Sequence, residues 1–192
     1  MNVEQDEAHI LQSVMARLTT QPPERPRTPR PVQTAKWTCP GFLGKTRILT
    51  DFGALPIEAL RTNDPIVTGV GRVMRVRRIR KIGLDRHVLA QTPDAQPVRI
   101  MADAFGPGLP KQDMLLSPAQ ELTVRIQNFP PRRLRAGEIR GTGAVMRAPA
   151  TALVYYAFEL EEEAVAYAEG ISFSVAARST ASTEDDGEDG AF

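Results

Sequence analysis

Few side chains in this chain of 192 residues can act as nucleophiles or move protons near neutral pH: one cysteine, Cys39, and two histidines, His9 and His87. A thiol attacks as the thiolate and needs a positioned base or cation to reach that state. Cys39 has no histidine near it in sequence and is followed by Pro40, which restricts the backbone. One cysteine forms no disulfide within the chain, and without a C-x-x-C pair there is no zinc motif. Ser117 precedes Pro118 and reads as a turn residue. Neither histidine lies in a motif that would complete a Ser-His-Asp triad. Gly69-Val70-Gly71 lacks the third glycine and following helix of a dinucleotide fingerprint, so it reads as a strand turn. These residues point to no metal and no cofactor.

The elements that position them are short. Thr46-Arg47-Ile48-Leu49-Thr50, Pro65-Ile66-Val67-Thr68, His87-Val88-Leu89-Ala90, Val98-Arg99-Ile100-Met101, Leu122-Thr123-Val124-Arg125-Ile126 and Leu153 to Phe158 are apolar or alternating runs. Turn signals separate them, among them Asp51-Phe52-Gly53, Thr92-Pro93-Asp94, Gly106-Pro107-Gly108 and Gly141-Thr142-Gly143. Many short strands at this spacing predict a mostly β domain over residues 37–175. Val73, Val76, Ile79 and Ile82 recur every three residues, which a helix also satisfies; their β-branching and the flanking Gly71 and Gly83 favour strand.

Outside that domain, Ile10, Val14 and Leu18 at fourfold spacing predict an amphipathic helix within residues 1–18. Residues 19–36, rich in proline and arginine, read as a linker. Residues 176–192, polar and acidic, read as a disordered tail. The net charge is +1, so the chain as a whole is not steered to nucleic acid or an anionic membrane. Locally it is uneven. Arg72, Arg75, Arg77, Arg78, Arg80, Lys81 and Arg86 face one acid, Asp85, whereas Glu184 to Asp189 is purely acidic apart from Gly187. Arginine-guarded strand edges explain the basic stretch without a ligand, and a patch for an acidic partner is the alternative. No aromatic residues interleave it for base stacking. No run of about 18 apolar residues exists to span a membrane, and the acidic N-terminus is unlike a secretory signal. A cytoplasmic location is expected, with secretion by a route that needs no N-terminal signal as the alternative.

Three blocks resemble the Hedgehog/intein (Hint) autoprocessing family, and a bacterial subgroup of it. The first runs from Gly41-Phe42-Leu43-Gly44-Lys45-Thr46 to Asp64-Pro65-Ile66-Val67. It matches a pattern of cysteine, Gly-Thr-x-Ile-x-Thr, a glycine turn, Ile-x-x-Leu and Gly-Asp-x-Val at Thr46, Ile48, Thr50, Gly53, Ile57, Leu60, Asp64 and Val67. The second, Leu115-Leu116-Ser117-Pro118-Ala119-Gln120, resembles Leu-Ser/Thr-Pro-x-His, preceded by Val98-Arg99-Ile100 and Gly106-Pro107-Gly108-Leu109-Pro110 to Asp113. The third, Val154 to Leu160 and on to Tyr167-Ala168-Glu169-Gly170-Ile171, resembles the family's C-terminal strand pair, which ends in Ala-Glu-Gly.

The resemblance implies a horseshoe-like β fold and a self-cleaving chemistry. A leading cysteine adds to the carbonyl before it, the Ser/Thr of the second block polarises that peptide, and a histidine protonates the departing nitrogen. In this chain the nucleophile position is Gly41 and the histidine position is Gln120, while Ala157 and Glu163 stand at two further positions where histidines are common. Glycine has no nucleophile, and glutamine cannot shuttle a proton near neutral pH. Cys39 lies two residues upstream, a displacement of up to about 7 Å in extended chain, far beyond reacting distance.

The expected function is therefore a non-cleaving Hint domain acting as a binding or structural module. An autoprocessing domain using Cys39, or a basic adaptor for an acidic partner, is the alternative. Cys39, Ser117 and Gln120 remain the site candidates, and Thr46, Gly53, Asp64, Ser117 and Gly170 the framework. A protein partner fits better than nucleic acid, and no membrane is expected.

Overall fold

The computed structural model describes residues 36–69, 71–126, 129–140 and 143–178. The expected helix within residues 1–18, all of the linker but Lys36 and the acidic tail beyond Arg178 lie outside them. Among the described residues, fourteen strands pair antiparallel in two sheets. The strands are β1 (Phe42–Leu43), β2 (Arg47–Thr50), β3 (Gly53–Pro56), β4 (Pro65–Val67), β5 (Val73–Arg75), β6 (Arg78–Leu84), β7 (Val98–Ile100), β8 (Met114–Leu116), β9 (Glu121–Val124), β10 (Arg132–Arg135), β11 (Val145–Arg147), β12 (Leu153–Glu159), β13 (Ala164–Ala168) and β14 (Ile171–Val175). Six form a sheet in the order β11-β7-β8-β1-β12-β6. The other eight run β10-β9-β14-β13-β2-β4-β5, with β3 against β2. The expectation of a mostly β domain holds.

Period-two alternation fixes which face of each strand is inward. Ile48 and Thr50 of β2, Leu122 and Val124 of β9, and Ile171, Phe173 and Val175 of β14 are buried, with more exposed residues between them. The rings of Phe42 on β1 and Phe158 on β12 meet Phe173 on β14 edge-on, at 4.8 and 6.1 Å between centroids. Because β1 and β12 belong to one sheet and β14 to the other, these aromatic contacts hold the two sheets face to face.

Two sequence expectations are corrected. His87-Val88-Leu89-Ala90, read as a strand, lies in a helix, α1 (Arg86–Gln91). Asp85 caps it, its carboxylate accepting the Val88 amide at 2.9 Å, and a cap of this kind outweighs the strand preference of one valine. Leu89 is the buried residue of α1. It packs with Leu84, Ala95, Leu153 and Tyr155 in a second apolar cluster, against which Trp37 and Leu43 rest. Secondly, the third block is not one strand pair. Its first half is β12, flanked by β1 and β6, whereas Ala168-Glu169-Gly170 is the turn between β13 and β14 in the other sheet. The threefold run from Val73 to Ile82 is strand as expected, divided between β5 and β6 around Val76 and Arg77.

Candidate functional site

Where the first and second sequence blocks meet, β1 lies between β8 and β12. Ser117 follows β8 directly and is fully buried. Its amide donates to the Gly41 carbonyl at 2.8 Å, extending the β1–β8 pairing by one bond. Its hydroxyl donates to the Cys39 carbonyl at 2.6 Å and accepts from the Trp37 indole at 2.9 Å and the Ala119 amide at 3.1 Å. One donated and two accepted bonds use the whole capacity of a hydroxyl. Ser117 is thus more than the turn residue its Pro118 neighbour suggested. It ties the strap Trp37–Gly41 to the domain through one side chain and two carbonyls.

Gly41 packs closely on β12. A Cβ placed on it would stand 3.0 Å from the Tyr155 Cβ and 3.1 Å from the Tyr156 carbonyl oxygen. Tyr155 cannot move aside easily. Its side chain is fully buried, its hydroxyl donates to the Ala95 carbonyl at 2.8 Å, and its backbone is flanked by β1 and β6. Burial holds the Tyr155 phenol well above its ordinary pKa. Trp37 lies over the same residue with ring centroids 6.1 Å apart.

Gln120 is buried near the far end of the Ser117 turn, its amide donating to the Ser117 carbonyl at 3.0 Å. Its side-chain nitrogen donates to the carbonyl of its neighbour Glu121 at 3.1 Å, and its own carbonyl accepts the Ala136 amide at 2.9 Å. Cys39 is half-buried and reaches Ser117 by its carbonyl. Ala157 faces Arg80 across the β12–β6 pair, and Glu163 is exposed between β12 and β13. His87 is exposed on α1, bonded to Gln91 at 2.9 Å. His9 lies outside the described residues.

The residues expected as framework lie at or beside turns. Thr46 is buried, its amide on the Leu43 carbonyl and its carbonyl accepting the Ile57 amide. Gly53 has φ +102° after the Asp51-Phe52 turn, where the Thr50 hydroxyl donates to the Gly53 carbonyl at 2.6 Å. The Asp64 carboxylate accepts the Arg61 amide at 2.8 Å just before β4. Gly170 has φ +89°, and a Cβ there would stand 3.2 Å from the Leu109 side chain.

Three participants had little sequence signal. Trp37 is the single tryptophan, two residues before Cys39, but its partner lies eighty residues away. Glu169, in the Ala-Glu-Gly match, is a buried carboxylate accepting the Arg47 amide at 2.9 Å. Asp113, which opens the Asp-Met-Leu-Leu-Ser-Pro run, accepts the Ala102 amide at 2.8 Å and pairs with Arg99. The backbone bond, then the guanidinium, hold its carboxyl below the usual aspartate range. Among the described residues no group of three or more His, Cys, Asp or Glu is placed to hold a metal ion, and no helix is long and apolar enough to cross a membrane.

The bacterial intein-like domain from Clostridium thermocellum is similar at 11% identity, covering 70% of this chain and 98% of that one, with a TM-score of 0.48. The gp41-1 intein is similar at 11% identity, 70% and 98% coverage and a TM-score of 0.46. A DnaB intein from Synechocystis sp. PCC 6803 is similar at 10% identity, 72% and 99% coverage and a TM-score of 0.46. A search of curated proteins gives no match. The family model described as Hint domain matches residues 40–176, well over half of the chain. The chain belongs to the Hint domain family.

Proposed function

We propose that this Hint domain does not cleave its own chain and serves as a binding or structural module. The observation that carries the reading is the contact at Gly41. The position that should bear the nucleophile has no side chain, and β12 lies 3.0 to 3.1 Å from where a Cβ would stand. The second role is empty as well, because Gln120 directs its amide to Glu121 and cannot deliver a proton near neutral pH. What remains of the old arrangement is Ser117. Its hydroxyl bonds the Cys39 carbonyl and the Trp37 indole, so the strap before the domain is held in place.

Autoprocessing by Cys39 is disfavoured on the same geometry. The thiol of Cys39 would add to the carbonyl of Thr38, the peptide bond preceding it. Ser117 instead polarises the carbonyl of Cys39 itself, one peptide further on. The polarised bond and the bond within reach of the thiol are therefore different bonds.

The test is incubation of the full chain with dithiothreitol or hydroxylamine, each of which intercepts a thioester, followed by intact mass. A single species of full-length mass is the expected result. Thiol-dependent fragments that disappear in Cys39→Ala would replace this reading with autoprocessing.

A further inference from the structure

Strand β6 ends the six-stranded sheet, with β12 on one side and no strand on the other among the described residues. An edge strand of an antiparallel sheet turns alternate amides and carbonyls outward, and those of β6 are left for another chain to meet. Arg78, Arg80 and Lys81 on β6, with Arg75 and Arg77 just before it, are all exposed. Arg77 pairs with Glu161 and Arg80 approaches Glu159 at 3.9 Å, while among the described residues no carboxylate pairs with Arg78 or Lys81. Lys81 instead rests over the Tyr156 ring at 5.5 Å.

Charged edges commonly serve only to keep other strands away, and β10 with Arg132 and Arg133 fits that description. What distinguishes β6 is where the chain leaves the described structure. The Arg178 amide donates to the Leu160 carbonyl at 2.8 Å. Leu160 directly follows Glu159, whose backbone lies opposite that of Arg78 in the β12–β6 register. The described chain therefore stops about two strand spacings, roughly 10 Å, from Arg78. Glu184 comes six residues later, within about 20 Å of extended reach. From there Glu184, Asp185, Asp186, Glu188 and Asp189 follow almost without interruption.

We infer that this acidic segment, Glu184–Asp189, docks along the outer edge of β6, its carboxylates meeting Arg78, Arg80 and Lys81. A short tether keeps the segment near the edge at an effective concentration on the order of millimolar, so individually weak exposed ion pairs suffice when several form together. The contact is screened as the Debye length shrinks to about 3 Å near 1 M salt.

Hydrogen exchange of the full chain at low ionic strength tests it, against a full-length variant carrying Glu184→Gln, Asp185→Asn, Asp186→Asn, Glu188→Gln and Asp189→Asn. None of these positions belongs to the described fold. The outward amides of Arg78–Leu84 are expected to exchange roughly 3-fold or more slowly in the native chain, and the difference should vanish near 1 M salt. Arg78→Glu with Lys81→Glu should abolish it equally, with β10 exchange as the check that the fold is intact. Equal exchange in the two chains overturns the inference. So does protection that falls on Arg132–Arg135 instead, or protection that grows with protein concentration, which would make a second copy the occupant.

Discussion

The Ser117 hydroxyl and the Cys39 carbonyl are 2.6 Å apart, seventy-eight residues separated in sequence, and the same oxygen of Ser117 receives the Trp37 indole. A buried hydroxyl with all its bonds made has no capacity left for a reacting group. It behaves as a fastening for the chain that enters the domain.

Ser117→Ala removes that fastening at both ends. The Cys39 carbonyl and the Trp37 indole lose their partners, and an unmet buried polar group costs about 1 to 3 kcal/mol. Trp37 is half-buried, so part of the loss is recovered from water. A destabilisation of about 1 to 2 kcal/mol in urea unfolding is expected. Because Trp37 is the single tryptophan, its emission reports the strap directly and should shift to longer wavelength in the folded variant. An unchanged spectrum would mean that packing on Tyr155, with the Ser117 amide still on the Gly41 carbonyl, is enough to hold the strap.

Gly41→Ala and Gly41→Cys are both expected to destabilise, by about 1 to 3 kcal/mol, the usual cost of forcing atoms into a packed site. The obstruction is at the Cβ, 3.0 Å from the Tyr155 Cβ and 3.1 Å from a backbone oxygen, so the two variants should cost similar amounts. Restoring the cysteine should not restore cleavage. Urea unfolding measures the first statement and intact mass in dithiothreitol the second. A Gly41→Cys protein as stable as the native chain would show that β12 yields, and would remove the main support for a non-cleaving domain.

How far the sequence carried these conclusions depended on the range of the interaction. Gly53 and Asp64 stood out through the family pattern, and each acts within a few residues: φ +102° closing the β2–β3 turn, and a carboxylate on an amide three positions back. Strand alternation was legible because it is local. The helix at Arg86–Gln91 was missed because Val88 and Leu89 have no helical period to display in six residues. Asp85 was the one local signal available, and tertiary contact with Tyr155 decides the rest. The closeness of Gly41 to Tyr155 spans more than a hundred residues, and no local pattern announces it. Ser117 was noticed, but its partners Trp37 and Cys39 come to it only once β1 lies beside β8.

Gly53→Val and Asp64→Ala test the framework. No atom lies within 4 Å of a Cβ at Gly53, so the valine variant pays only for the backbone, roughly 1 to 2 kcal/mol for a β-branched residue at positive φ. Asp64→Ala loses an exposed bond to the Arg61 amide, and about 1 kcal/mol is expected. Chemical denaturation of both variants gives the answer. A Gly53→Val protein of native stability would mean that the turn had rearranged to negative φ.

The last expectation concerns acid. Asp113 holds the segment between β7 and β8 through the Ala102 amide and Arg99, and those two contacts lower its pKa, the amide contributing first. A carboxyl with a lower pKa folded than unfolded releases its proton more readily in the native state. Its contribution is therefore complete above about pH 4, the unfolded value, and is lost as pH falls toward the lowered folded value. Asp113→Asn keeps the shape and removes the titration. The variant should be less stable than the native chain at pH 7, and the gap should narrow as both are acidified below about pH 4. Because Arg99 and Asp113 are both well exposed, the Arg99 share of the gap should also shrink in salt, whereas the Ala102 share should persist. Urea midpoints of the two proteins at pH 7 and pH 3, each with and without about 0.5 M sodium chloride, separate the contributions. A gap that stayed constant with pH would show that Asp113 acts there as a hydrogen-bond acceptor indifferent to its charge.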